Sequence, residues 1–366
     1  MLTTTRPNTD NYLSLFLNDT PLMDVRAPIE ANKGSFPCSI NYPLLDNQQR
    51  HEIGIRYKQQ GEQAAIQLGL ELATPEIRAQ RYKQWISFCE QNPKGYLFCF
   101  RGGLRSRTTQ QWLKEQGHYY PLITGGYKAM RRYLIDELDE SISALNVISI
   151  TGPTGSGKTR VLKKINHHLD FEGIAQHRGS AFGRNPQDTQ PSNIDWENEV
   201  SIGFLKHRHL FPNTTLFVED EGKLIGRVCM SKNLETMCKN NPLVLLEENM
   251  EQRISMTKED YIDSLWPEYQ KAYSLNAEQY FSDYVLGSLA RIKKRLGGDR
   301  YKDMNNSFSS ALSHFFSTGD SHQFSDGIHI LLRDYYDPMY AYQRSKREGK
   351  IIFKGNRKEV IEWANN

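Results

Sequence analysis

The chain is poor in cysteine and nowhere pairs it. Cys38, Cys89, Cys99, Cys229 and Cys238 are only five, an odd number, widely spaced, with no Cys-x-x-Cys pair. Neither a structural zinc site nor a disulfide framework is supported, which argues for a reducing cytoplasm where a free thiolate survives. Long apolar runs are missing too. No stretch approaches the roughly 18 residues that span a bilayer, so no membrane partner is expected. The opening segment MLTTTRPNTDNYLSLF has no basic region followed by an apolar core, so no secretory leader is expected. Charge of one sign is not in excess: 46 Lys and Arg against 43 Asp and Glu leave a formal net charge of +3. Overall charge therefore does not demand a nucleic-acid partner. Repeats and low-complexity tracts are absent as well. What remains is a chain of 366 residues, 38% hydrophobic and 24% charged, long enough for two or three folded domains with a sizeable core.

The stretch with the most chemistry is GYLFCFRGGLRSRTTQQWL, residues 95 to 113. Tyr96 to Phe100 is a short apolar run bounded by Gly95, the pattern of a buried strand. Arg101-Gly102-Gly103-Leu104-Arg105-Ser106 is a loop, and a helical pattern follows with Trp112 and Leu113 on its inner side. Cys99 thus sits where a strand ends and a tight loop leads into a helix. Loop N–H groups converge there and the helix adds its positive end, which favours a thiolate and holds an anion beside it. Arg101, Arg105 and Arg107 add fixed positive charge. The pattern points to thiolate chemistry on an anionic substrate, with Cys99, Arg101 and Arg105 as the catalytic candidates. A half-buried cysteine at a glycine turn is the plain alternative. Cys99 and Arg105, five residues apart between them, also match the spacing of a cysteine-phosphatase loop, although Phe98 stands where such loops carry histidine.

Around this stretch strands and helices alternate. Pro21 to Arg26 and Ser39 to Asn41 read as short strands, residues 48 to 90 as long helices, and Tyr120 to Ile123 as a strand closed by Gly125-Gly126. This predicts a parallel-sheet α/β domain over residues 1–140. Ligands of such sheets bind at the carboxyl ends of strands, which would gather Asp24, Arg26 and Cys99 on one rim.

A second domain is predicted over residues 146–366. Val147 to Ile150 is a buried strand that runs into Gly152-Pro153-Thr154-Gly155-Ser156-Gly157-Lys158-Thr159 and then the helical pattern RVLKKINHHL. This is a phosphate-binding loop in its strand–loop–helix setting. Backbone N–H groups at Gly152, Gly155 and Gly157 cradle phosphates, Lys158 neutralises them, and the Thr159 hydroxyl suits Mg2+. The partner acid is expected at the end of the strand Thr215 to Glu221, as Glu219 or Asp220. A further strand, Pro242 to Glu247, precedes a helix carrying Arg253. Between these elements His177, Arg178 and Ser180 lie in a donor-rich loop suited to a substrate. Asp195 caps a helix. From about residue 259 to 366 the pattern is mostly helical and basic, with Arg291, Lys293, Lys294, Arg295, Arg300, Lys302, Arg344, Lys346, Arg347, Lys350, Lys354, Arg357 and Lys358. Such clusters suit a phosphate backbone, and Tyr335, Tyr336 and Tyr340 suit stacking on bases.

Asp24-Val25-Arg26-Ala27-Pro28-Ile29-Glu30, the proline-rich turn after it, the loop cysteine and Leu122…Gly125-Gly126-Tyr127 together resemble a rhodanese domain. More narrowly, Gly54 to Gly61 (GIRYKQQG), Cys99 to Ser106 (CFRGGLRS), His177 to Gly183 (HRGSAFG) and Ile194 to Asn198 (IDWEN) resemble the tRNA 2-selenouridine synthase family. Phe100 stands where many members have tryptophan. The resemblance covers nearly the whole chain. It implies an N-terminal rhodanese-like domain and a P-loop NTPase-like domain with a helical C-terminal region. It also implies an enzyme that replaces the 2-sulfur of a wobble uridine with selenium. Selenophosphate would be the donor, carried as a perselenide on Cys99. An S-geranylated intermediate would be made from geranyl diphosphate at the P-loop. The partners implied are the tRNA anticodon region and, transiently, a selenophosphate-producing enzyme. Two other readings of the residues stay open: an ATP-dependent tRNA thiolation enzyme, and a phosphatase or sulfur carrier fused to a nucleotide-switch domain, since P-loops ordinarily bind ATP or GTP.

Overall fold

In the computed structural model, residues 6–184, 186 and 189–366 are described. The chain divides into two compact units, residues 1–143 with 192–210, and residues 144–191 with 211–366.

The first unit is built on three short parallel strands, β1 (Leu22–Asp24), β2 (Ser39–Asn41) and β3 (Tyr96–Phe98), in the order β2-β1-β3. Met23 lies opposite both Ile40 and Leu97. The expected strand at Tyr120 to Ile123 is present only as single parallel bridges, Leu97 to Leu122 and Thr9 to Ile123. The period-2 alternation of strands divides the apolar residues between two cores. Met23, Val25, Leu97 and Cys99 pack on one face with Trp85, Phe88, Trp112 and Leu113. Leu22, Phe98 and Ile123 pack on the other with Phe16, Phe36, Tyr127 and Leu134. The second core also takes Ile202 and Leu205 from the helix Asn193–Leu210. That helix therefore belongs to the first unit, although the sequence assigns it to a domain over residues 146–366. Its apolar side and its ion pairs, Arg131 with Glu197 at 3.0 Å and Arg208 with Glu137 at 2.8 Å, decide the matter.

The second unit centres on an all-parallel sheet of β4 (Val147–Thr151), β5 (His168–Leu169), β6 (Leu216–Glu219), β9 (Leu243–Leu246) and β10 (Ile351–Gly355), in the order β10-β9-β4-β6-β5. A small hairpin, β7 (Leu224–Ile225) with β8 (Val228–Cys229), stands apart from it. One expectation is corrected here. The helical pattern after the phosphate loop stops at Leu162, and β5 follows, because His168 and Leu169 pair with Phe217 and Val218. The C-terminal region is mostly helical, as expected, with one strand in it. Ile351–Gly355 returns as an edge strand on β9, and Val360 of the last helix joins the core under the sheet. In between, helices from Met250–Lys258 to Asp337–Arg344 enclose a separate aromatic core that includes Phe182, Tyr261, Phe281, Phe308, Phe315 and Tyr336. Among the described residues no helix is long and apolar enough to cross a membrane.

Candidate active site

Cys99 follows the last residue of β3 directly, and its carbonyl accepts from Tyr127 N–H at 2.9 Å. The residue is 3% exposed. Gly102 takes φ +63°, and a Cβ there would lie 2.7 Å from the Ile123 carbonyl. Only glycine lets the loop pass this close to its neighbour. Among the described residues, Phe100, Arg101, Gly102 and Gly103 donate no main-chain hydrogen bond to a carbonyl, so their N–H groups are available to an anion. The helix Leu104–Glu115 starts at this point. Arg105 on its first turn is bound by Glu30, at 2.5 and 3.2 Å. Burial alone would push the Glu30 carboxyl up, but the Arg105 guanidinium, the Ala27 N–H and Arg50 together hold it below its ordinary value. Arg101 is exposed beside Phe100.

Asp24 and Arg26 do not face a ligand. They form an ion pair at 2.6 Å, each 1% exposed, and Arg26 also donates to the Gly34 carbonyl at 2.8 Å and lies 3.8 Å from the Tyr127 ring centre. They brace the segment after β1. Among the described residues no cysteine forms a disulfide. Burial pushes the Cys38 thiol up to about 11 and those of Cys89 and Cys238 up to about 12, which makes all three poor nucleophiles.

In the second unit the phosphate loop follows β4. Gly155 has φ +79°, and a Cβ there would sit 2.6 Å from the Arg253 carbonyl. Arg253 holds the loop from beneath, donating to the Thr154 carbonyl at 3.0 Å while pairing with Asp337. Lys158 Nζ donates to the Gly152 carbonyl at 2.9 Å, so the lysine is drawn across the loop it serves. A cavity of about 560 Å³ opens over these groups. Gly152, Gly155, Gly157, Lys158 and Thr159 line it on one side and His177, Arg178 and Ser180 on another. The structure thus brings together two segments that the sequence separates by some twenty residues. The second segment is pinned in place: Gly179 N–H donates to His177 Nδ1 at 3.1 Å, Arg178 donates to the Asp260 carbonyl, and Tyr261 donates to Ser180 Oγ at 2.9 Å.

The acids at the strand end divide. Asp220 accepts from Thr151 Oγ1 at 2.7 Å and pairs with Arg347, which occupies its charge. Glu219 is fully buried and accepts from Glu172 N–H at 3.1 Å. A further carboxylate, Glu172, accepts from Thr159 Oγ1 at 3.2 Å. Burial pushes the carboxyls of Glu172, Glu219 and Glu221 up and the Glu172 charge raises the other two, while Lys158 pulls against all three and the hydrogen bond with Glu221 lowers Glu172. Among the described residues Glu219 Oε1 has no hydrogen-bond partner. Among the described residues no group of three His, Cys, Asp or Glu is arranged as a complete metal-ligand set. A hydroxyl and a carboxylate beside a phosphate loop nevertheless fit Mg2+, which commonly takes one or two protein oxygens and completes its shell with phosphates and water. Sequence reasoning missed Glu172 and Glu221. Glu172 follows β5, a strand hidden inside a helical pattern.

The C-terminal cations divide as well. Arg347 is used by Asp220, Arg357 by Glu248 at 2.7 Å, and Arg291 by the Ala181 carbonyl at 2.7 Å. Lys293, Lys294, Arg295, Arg300, Lys302, Lys346, Lys350, Lys354 and Lys358 stay exposed. Tyr336 is 2% exposed inside the aromatic core and cannot stack on a base, which corrects the sequence expectation. Tyr340 lines the phosphate cavity, its hydroxyl 3.3 Å from Thr151 Oγ1.

The sequence profile of the tRNA 2-selenouridine synthase AAA domain matches residues 145–366. Along nearly its whole length the chain is 46% identical to the tRNA 2-selenouridine synthase of Marinobacter nauticus, covering 98% of each. The chain belongs to the tRNA 2-selenouridine synthase family. The namesake enzymes of Alcanivorax borkumensis, 47% identical over 99% of each chain, and of Pseudomonas paraeruginosa, 44% identical over 98% of this chain and 97% of that one, agree. A solved N-terminal domain from Clostridium difficile 630 is 30% identical, covers 32% of this chain and 90% of its own, and has a TM-score of 0.30, too low to bear on the fold. The family's AAA-domain profile takes in the phosphate cavity and its lining, whereas the Cys99 loop lies outside it, in the part that the full-length relatives match.

Proposed function

We propose that the protein is a tRNA-modifying transferase that exchanges the 2-sulfur of a wobble 2-thiouridine for selenium, with the Cys99 loop as selenium site and the P-loop as prenyl diphosphate site. The observation that carries this reading is the pairing, within one member of this family, of a strand-end thiol under unengaged loop N–H groups with a phosphate loop that holds its own lysine.

In this reading the first unit is a rhodanese-like selenium carrier. Selenophosphate, an anion supplied by a selenophosphate-producing enzyme, is held by the N–H groups of Phe100 to Gly103 with Arg105 and Arg101 close by, and gives up its selenium beside Cys99. There water attacks phosphorus, the selenium–phosphorus bond breaks, phosphate leaves, and selenium stays at the selenide level as hydroselenide under the loop N–H groups, so no oxidant or reductant is needed. At the second unit, Lys158 and the loop N–H groups hold geranyl diphosphate. The uridine sulfur forms a bond to the prenyl carbon, the carbon–oxygen bond breaks, and diphosphate leaves with the electron pair. Mg2+ bound by Thr159 and Glu172 would neutralise that leaving group. Selenium then bonds to C2, the carbon–sulfur bond breaks, and the prenyl thiolate leaves and takes a proton. Alkylation makes the sulfur a competent leaving group. The exposed lysines and arginines of the C-terminal helices supply the contacts to the tRNA backbone. Free thiol chemistry of this kind fits a reducing, cytoplasmic setting.

The test combines the purified protein, selenophosphate and tRNA bearing 2-thiouridine, with and without geranyl diphosphate, and reads nucleosides by mass spectrometry. Cys99→Ala is expected to abolish selenouridine while geranylated thiouridine still forms. Lys158→Ala is expected to abolish geranylation. Failure of the wild type to place selenium in tRNA under every condition sinks the reading, and ATP consumption matched to product would replace it with thiolation.

A further inference from the structure

The segment Gly54 to Gly61, which stands out in the sequence, has no part in either site as described. Its helix, Asn47–Leu72, is broken at Gly61 by φ +81° and ψ −174°, so it doubles into two arms. Only Gln49 and Ala65 of the whole element are buried. Between the arms and the Cys99 loop lies a cavity of about 860 Å³, within the roughly 300–1,000 Å³ typical of pockets for small organic ligands. Its wall is apolar. Ile53 and Ile55 come from the first arm, Ile66 and Leu70 from the second, and Leu104 and Trp112 from the helix that the thiol loop opens. Ile55, Leu70 and Leu104 are 42%, 44% and 50% exposed, a concentration of large apolar surface that a soluble chain does not leave bare without use. Gly54 and Gly69 also line the space, and a Cβ at Gly54 would meet nothing within 4 Å. The most buried cation of the lining, Arg81, gives one nitrogen to Gln49 at 2.7 Å, while its Nη1 has no hydrogen-bond partner among the described residues. Arg50, Lys58, Arg101 and Arg105 also line it, together with Glu30, which pairs with Arg105 and Arg50.

We infer that this cavity takes the hydrocarbon chain of the alkylated nucleotide, seating the thioether beside Cys99. An apolar pocket in which cations outnumber the one carboxylate fits a ligand with a greasy tail on a polyanion, which describes a prenylated base in RNA; geranyl diphosphate has the same two parts, but the proposed reading seats it on the phosphate loop of the second unit. The inference rests on the proposed selenium exchange through an S-prenyl intermediate, and gives that intermediate a place in the first unit.

The test measures binding by the full-length protein of three anticodon stem-loop RNAs carrying 2-thiouridine, S-methyl-2-thiouridine or S-geranyl-2-thiouridine. The wild type is expected to bind the geranyl form at least tenfold more tightly than the methyl form. Gly54→Leu and Gly69→Leu fill the cavity from two sides, and their folding is checked by thermal unfolding. Both are expected to bring the geranyl form to the level of the methyl form and leave the other two RNAs unchanged. Equal binding of the geranyl and methyl forms by the wild type overturns the inference. So does geranyl preference that survives both substitutions, or an equal loss for all three RNAs, which would make the cavity a seat for the base. Binding is read without turnover, so selenium incorporation from the geranylated RNA still reports separately on the proposed reaction.

Discussion

Arg105 grips Glu30 with both terminal nitrogens, at 2.5 and 3.2 Å, across 75 residues of sequence. The contact ties the first turn of the helix beyond Cys99 to the short helix Pro28–Ala31 that follows β1. The same carboxylate accepts from the Ala27 N–H at 3.1 Å and pairs with Arg50 at 3.3 Å. The charge beside the thiol loop is therefore held in place by the segment Asp24 to Glu30, whose own Asp24–Arg26 pair is buried.

Glu30→Gln should cost about 1–2 kcal/mol at neutral pH, because the pair is only partly exposed and the guanidinium loses its counter-charge. The carboxyl is held below its ordinary value of 4.5 in the folded chain. Its contribution is thus complete above that value and disappears as pH falls through the lower, folded value. Denaturant unfolding of wild type and variant should differ at pH 7 and converge in acid. A gap of constant size down to pH 3 would show that the ion pair is not its source.

Glu219→Gln should stabilise the protein at pH 8 and not at pH 4. Burial and the neighbouring Glu172 push the Glu219 carboxyl well above 4.5. A raised acid is no burden while protonated in both states, and it lowers stability as pH rises through its folded value. Glutamine keeps an oxygen for the Glu172 N–H and carries no charge. The readout is the melting temperature across that range, where each 1 kcal/mol is worth about 2–4 °C. A melting temperature lower than wild type at pH 8 would mean the carboxylate is needed ionised, as a ligand would need it.

Arg253→Ala should destabilise the second unit by about 2 kcal/mol, since it removes a buried guanidinium that serves the partly exposed Asp337 and the Thr154 carbonyl. Diphosphate affinity should fall with it, measured by calorimetry with geranyl diphosphate. Arg253→Lys should recover part of the stability through its charge and little of the affinity, because one ammonium cannot reach both acceptors. Unchanged affinity in Arg253→Ala would show that the loop holds its shape unaided.

The order of the two loops along the chain, the strand before each, and their strand–loop–helix settings at Cys99 and at Gly152 to Thr159 were all legible in the sequence. Each is set by local means: an apolar run, glycines where the backbone must turn left-handed, and a helix start. Such signals lie within a dozen residues, where backbone sterics and hydrogen bonding act without help from the rest of the fold. Tertiary structure alone decided what lies between them. His168 and Leu169 read as helix and became β5 because β6 offered them partners. Ile351–Gly355 closed a basic, helical-looking tail onto β9. Asn193–Leu210 left the domain it follows for the core around Phe16 and Phe36. Glu172, rather than Asp220, came to rest on Thr159, because Arg347 had taken Asp220. Pairing and burial between residues far apart in sequence have no local signature. Strand neighbours, buried ion pairs and the walls of a cavity therefore depend on which surfaces the whole chain brings into contact.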